Sequence, residues 1–297
     1  MINKYLVSAS LCFLSAVMTI AQDYKSYTYF ENESISLNLD LFMPINITGI
    51  KTPLLIYVHG GGFKSGDRAD GHDLARHLAS QNIACASISY TLNMKNQSFS
   101  CDGKLSEKIK AIQVAASQLW HATSYLVGKS DLLNIDSSQI FLGGNSAGAE
   151  TVLHAAYWNR EQMQLYNPKL LPGFEYAGVI SGAGAIMDLN LITEENKIPL
   201  MAFHGDADTL VPYGTAAHHY CTPNSSGWLM LFGSYSIVQH LHNIDGTYQL
   251  ITFSGGGHSY AGAYIDQDQQ LVADFIKNVV LGKRFKLHEV IGASVQE

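Results

Sequence analysis

The sequence predicts an α/β fold. A mostly parallel central sheet carries helices on both faces, and an antiparallel hairpin opens it at the N-terminus. Three observations predict this. Short apolar runs alternate with helix-period segments along most of the chain, as in a sheet buried on both faces. Glycine-rich turns follow directly on several of those runs. No internal repeat, low-complexity stretch or long linker interrupts the alternation, so residues 22–297 read as one domain, a length such folds commonly fill.

The elements follow in order. Strand-like runs over 24–30 and 35–42 flank the polar Glu31-Asn32-Glu33-Ser34 and read as the hairpin. Strands are predicted over 54–58, 83–90, 140–142, 177–180, 200–204 and 248–253. Helices are predicted over 68–80, 105–127, 147–158, 232–243 and 265–280. The longer irregular stretches are 91–104, 160–175, 181–198 and 212–231. In an open sheet such loops carry function beyond the carboxyl ends of the strands.

Composition narrows the class. The 297 residues are 47% hydrophobic and 14% charged, with a net charge of −7. No basic run or basic-aromatic strip is present, which argues against a nucleic-acid partner. Residues 1–21 read as a secretory signal: Lys4 precedes an apolar run over 6–20, and Thr19-Ile20-Ala21 ends on a small residue. The run is too short and serine-rich for a membrane span. An uncleaved anchor is the alternative. The mature chain is therefore expected to be secreted or periplasmic, without stable membrane insertion. Beyond residue 21 stand Cys85, Cys101 and Cys221, an odd number, so at least one is unpaired within the chain. Cys85 lies in an apolar run expected to be a buried strand. Cys101 and Cys221 lie in polar loops and could pair in an oxidising compartment, although the sequence does not set their Cα distance.

Four motifs carry the chemistry. GNSAG at 144–148 is a G-x-S-x-G turn between a strand and a helix, which pushes the Ser146 hydroxyl out of the sheet. HGGGF at 59–63 follows a strand and leaves backbone N–H groups uncovered, as acyl transfer needs where an oxygen becomes negative. Ala147, Gly61 and Gly62 are the expected donors. HGDADTLVP at 204–212 supplies an acid at a strand end. Asp208 is favoured over Asp206, which reads as a residue capping its own turn. GGGHS at 255–259 places His258 on a loop after the last predicted strand, where it can reach Ser146 as a general base.

Together these residues resemble an α/β-hydrolase of the carboxylesterase and hormone-sensitive-lipase-like type, over residues 54–280. The resemblance implies ester hydrolysis through an acyl-serine intermediate, with Ser146, Asp208 and His258 catalytic and Gly61, Gly62 and Ala147 at the oxyanion. It implies no cofactor. Its partner would be a small-molecule or polysaccharide-linked ester. The chain departs from that kin in lacking a helical segment ahead of residue 54 and a long insertion between 180 and 200. An open site follows, suited to bulky or polymer-attached esters, and the architecture also resembles secreted acetylxylan and feruloyl esterases. A prolyl-oligopeptidase-like peptidase and a non-catalytic hydrolase-like binding module are the alternatives.

Other residues read as structural. Glu150, in the first turn after Ser146, could touch a substrate, but a carboxylate also suits a helix N-terminus and that reading leads; His154 reads as core. His218-His219 and His240-x-His242 match no metal-ligand spacing, so no metal is expected. Ser181-Gly182-Ala183-Gly184 hints at dinucleotide binding, but Met187 occupies the third glycine position. Phe63, Tyr90, Asp102 and Tyr213 lie near the expected site without an assigned role.

Overall fold

The computed structural model describes residues 24–45 and 49–292. The expected signal segment lies outside those residues. Nine strands form the central sheet: β1 (Lys25–Glu31), β2 (Ser36–Phe42), β3 (Thr52–Val58), β4 (Ala84–Ile88), β5 (Ile135–Asn145), β6 (Gly178–Gly182), β8 (Leu200–Gly205), β11 (Tyr248–Ser254) and β12 (Lys286–Gly292). Their spatial order is β1-β2-β4-β3-β5-β6-β8-β11-β12. β1 pairs antiparallel with β2, and β2 antiparallel with β4; every later pairing is parallel. A small second sheet joins β7 (Ala185–Ile186), β10 (Met230–Gly233) and β9 (Thr215–Ala217).

Alternation along the strands builds two cores. In β3, Leu54, Ile56 and Val58 point to one face, and Leu55 and Tyr57 to the other. The first face is covered by α2 (Leu105–Gly128), α4 (Ala147–Tyr157) and α6 (Ser234–Asn243), with Trp120 fully buried on α2. The second is covered by α1 (His72–Ser80) and α7 (Gln270–Val280), through Leu74, Leu78, Val272, Phe275 and Ile276. Two single-turn helices, α3 (Ser130–Leu133) and α5 (Arg160–Met163), complete the set. No helix among the described residues is long and apolar enough to cross a membrane.

The α/β-hydrolase expectation holds, with differences at element ends. The helix expected from 68 starts as a 3-10 turn over Arg68–Gly71, because the Asp67 carboxylate takes the Ala69 N–H in a capping box. The helix expected from 265 opens as a π turn over Ala263–Gln267, and α7 begins only at Gln270. β12 and the small sheet are not predicted by the periodicity. β12 is mostly exposed, so it shows no buried alternation. The strands of the small sheet have two to four residues.

Candidate active site

The nucleophile candidate sits where β5 ends and α4 begins. Ser146 adopts φ 52° and ψ −123°, a left-handed conformation that costs a non-glycine residue on the order of 1–3 kcal/mol. The surroundings hold it there. Its N–H donates to the Gly182 carbonyl at 2.7 Å, and its own carbonyl accepts from the Glu150 N–H. The turn also needs Gly148, since a Cβ there would stand 2.0 Å from the Val58 carbonyl oxygen. Ser146 heads α4, so the helix dipole favours negative charge beside it.

His258 and Asp208 complete a hydrogen-bonded chain. Ser146 Oγ lies 2.8 Å from His258 Nε2, and His258 Nδ1 lies 2.7 Å from Asp208 Oδ2. This order has the Nδ1–H donating to the carboxylate and leaves Nε2 to accept from the serine. Asp208 is wholly buried. Burial alone would raise its carboxyl pKa. Hydrogen bonds from His204 and His258, and the favourable electrostatics of a carboxylate between two imidazoles, outweigh burial and hold it well below the usual carboxylate range.

Asp208 also caps its own turn, taking the Leu210 and Val211 N–H groups on Oδ1 at 2.8 and 3.0 Å. Asp206 does not cap its turn, contrary to the sequence expectation. Its Oδ1 accepts from the Gly255 N–H at 2.6 Å, a bond that crosses to the histidine loop. The reason is parallel pairing of β8 with β11, which sets the two following loops side by side. Two backbone bonds reinforce the junction, Asp206 N–H to the Phe253 carbonyl and Ala207 N–H to the Gly256 carbonyl.

Gly61, Gly62 and Ala147 line the same cleft as Ser146 and His258. Gly61, Gly62 and Phe63 run through three successive positive φ values, 101°, 61° and 59°. A Cβ on Gly61 would meet the Ser65 carbonyl oxygen at 2.1 Å. Among the described residues no carbonyl accepts the Gly61 or Gly62 N–H. Ala147 is the first helical residue, whose N–H has no partner within the helix.

Three contributors had no role assigned from sequence. His204, the penultimate residue of β8, lies 3.2 Å from Asp208 Oδ2 through Nε2 and contacts Ser234 Oγ through Nδ1. The Tyr90 hydroxyl faces the His59 and Gly60 carbonyls at 3.0 and 3.1 Å, and its ring stacks on His59. It fixes the glycine loop from behind. Tyr57 donates to Asn145 Oδ1, steadying the residue before the serine. The signal for the first lay in the HGD triplet. Tyr90 and Tyr57 left none, because their partners are remote in sequence. Asp102 is exposed and held by Ser98, and Tyr213 binds Thr252, so neither meets the triad residues. Phe63 is fully buried and packs against Phe99 and Tyr90. His154 is core, its ring pushed down to about pKa 4 by burial. His240 Nε2 bonds the Ile192 carbonyl and His242 Nδ1 bonds the Tyr248 hydroxyl.

The cleft has a volume of about 550 Å³. Loops build most of its walls: residues 61–65, 98–100, 210–211, 218–219 and 258–262 all contribute. Cys101 and Cys221 form a disulfide, with Cα atoms 5.2 Å apart, that joins two of these loops. The Gly227 N–H to Cys101 carbonyl bond and the Leu105 N–H to Ser226 carbonyl bond extend the same seam.

Solved structures of an esterase from the planctomycete Thermogutta terrifontis share the fold. The native enzyme aligns at a TM-score of 0.63 and 14% identity, over 87% of this chain and 92% of that one. Its paraoxon-phosphorylated form gives 0.64 and 13%, over 87% and 94%. The butyrate-bound form gives 0.63 and 12% with the same coverage. No curated protein sequence matches the chain. The BD-FAE family model matches residues 39–197, more than half of the chain and a span that holds both the HGGGF and the GNSAG segments. On that match the chain belongs to the BD-FAE family.

Proposed function

We propose that this protein is a serine esterase that hydrolyses carboxylic esters, with short-chain or carbohydrate-linked acetyl and feruloyl esters as substrates. The observation that carries the reading is the Ser146–His258–Asp208 chain opening on the cleft. Ser146 Oγ attacks the ester carbonyl while His258 Nε2 takes its proton. The carbonyl oxygen becomes negative beside the Gly61, Gly62 and Ala147 N–H groups, the donors best placed to stabilise it. Asp208 holds the imidazole in its tautomer and stabilises the imidazolium. His258 then protonates the leaving alcohol, and water, activated by the same ring, releases the acid from Ser146.

The Thermogutta terrifontis esterase is known phosphorylated by paraoxon and bound to butyrate, which supports a serine nucleophile and a short acyl group here. Cleft walls built mostly of loops, with no inserted helical cap among the described residues, favour bulky alcohol portions. The test is a panel of acetyl, butyryl, long-chain, feruloyl and acetylated-polysaccharide esters beside aminoacyl anilides. Wild type should hydrolyse short esters, and Ser146→Ala should lose roughly 10⁶-fold in kcat. Native-rate hydrolysis by Ser146→Ala would overturn the reading.

Export accompanies this function. The Lys4 and apolar 6–20 pattern supports it, and so does a disulfide, which persists in oxidising compartments. N-terminal sequencing of the protein from medium or periplasm should begin near Gln22. Intact protein retained in the cytosol would argue otherwise.

A further inference from the structure

Behind Ser146 the cleft holds two polar side chains that the proposed reaction does not use. Glu150, one turn into α4, is 1% exposed, and His218, on the loop pinned by the disulfide, is 2% exposed. Both line the cleft. Glu150 Oε1 and His218 Nε2 face each other at 3.4 Å. Neither Glu150 Oε1 nor His218 Nδ1 has a hydrogen-bond partner. Leaving a buried polar atom unpaired costs about 1–3 kcal/mol, which a hydrogen-bonding group entering the cleft beside Ser146 would recover.

Burial favours the neutral form of each group. Burial raises the Glu150 carboxyl to about pKa 8, against the opposing pull of Lys108, and burial pushes the His218 ring well below its ordinary value. A neutral carboxyl and a neutral imidazole each offer one donor and one acceptor. That set complements a hydroxyl, which also donates and accepts, and offers no counter-charge to a carboxylate or an ammonium. The Phe99 and His219 rings pack edge-on against the His218 ring and hold its orientation.

We propose that Glu150 and His218 form a recognition subsite for a substrate hydroxyl, making the enzyme selective for esters that carry a free hydroxyl near the scissile bond. This rests on the esterase reading of the same cleft. The hydroxyl can belong to the acyl or the alcohol portion, and two substrate pairs separate those sources. One compares p-nitrophenyl 3-hydroxybutyrate with p-nitrophenyl butyrate. The other compares glyceryl monobutyrate with propyl butyrate. Wild type should favour the hydroxylated member at least tenfold in kcat/KM in one pair, mainly through KM.

Glu150→Met and His218→Phe, each normalised to sites titrated with paraoxon, should bring that ratio close to one. Glu150→Gln, which keeps a neutral donor and acceptor, should retain most of it. A wild-type ratio near one in both pairs overturns the subsite, as does a ratio that survives Glu150→Met. The wild-type comparison decides the matter even if a variant fails to fold. Failure of the esterase reading looks different: wild type would neither take up paraoxon nor hydrolyse any ester in the panel.

Discussion

Asp208 concentrates more of this molecule's physical chemistry than any other side chain. It accepts from two backbone N–H groups and stands within hydrogen-bond distance of two imidazoles while fully buried. Its depressed pKa means that it stabilises the fold above the ordinary value of 3.8 and loses that contribution only as pH falls through the lower folded value. Asp208→Asn should keep the shape of the turn, leave His258 in the wrong tautomer and lower kcat by roughly 10⁴-fold. Steady-state rates on a short ester check this. Glu150 has the opposite sign. Its carboxyl rises from 4.5 to about 8, so the folded state holds the proton more tightly than the unfolded chain. Stability is therefore full below 4.5 and falls as pH climbs toward 8, by about 3 kcal/mol at pH 7. Urea midpoints of Glu150→Gln and wild type should separate in favour of the variant between pH 5 and 8. A constant difference would refute the assignment.

At the scale of elements, the loops 91–104 and 212–231 act through the Cys101–Cys221 bridge. Those loops supply Phe99, His218 and His219 to the cleft wall. His219 and Tyr220 hold positive φ values of 55° and 51° just before Cys221, strain that the bridge helps to maintain. Replacing both cysteines by serine should cost about 2–4 kcal/mol and reduce activity more than a remote change of equal cost. Thermal melting paired with kcat/KM measures both. The main strands were legible because parallel sheets bury continuous apolar runs, as over 54–58 and 200–204. Ser146, Asp208 and His258 were legible because each follows such a strand on a glycine-rich turn. Tyr90, His218 and the small sheet were not. Their partners are contributed by segments far along the chain, and a single sequence carries no record of that proximity. Asp206 was misread for the same reason: its acceptor role crosses 49 residues to Gly255.

For the molecule as a whole, the sheet is asymmetric. One edge is the antiparallel hairpin, and the other is β12, whose Leu287 and Val290 are exposed. β12 shields β11, the strand that leads into the His258 loop. Truncation after Phe285 should leave folded protein with a lower melting temperature and a strong tendency to associate through the bared edge. Light scattering against concentration reads this; a monodisperse truncated protein would contradict it. The bonds between the Asp206 and Gly255 loops have a mechanical meaning. The Asp208 and His258 loops are fastened together by contacts that involve neither side chain, while Ser146 is anchored separately at the junction of β5 and α4. β6, paired with both β5 and β8, sets the spacing between them and so the Ser146–His258 distance. Substitutions that shift β8 against β5 should accordingly lower turnover of a short ester through the Ser146–His258 distance and leave the Asp208–His258 bond intact.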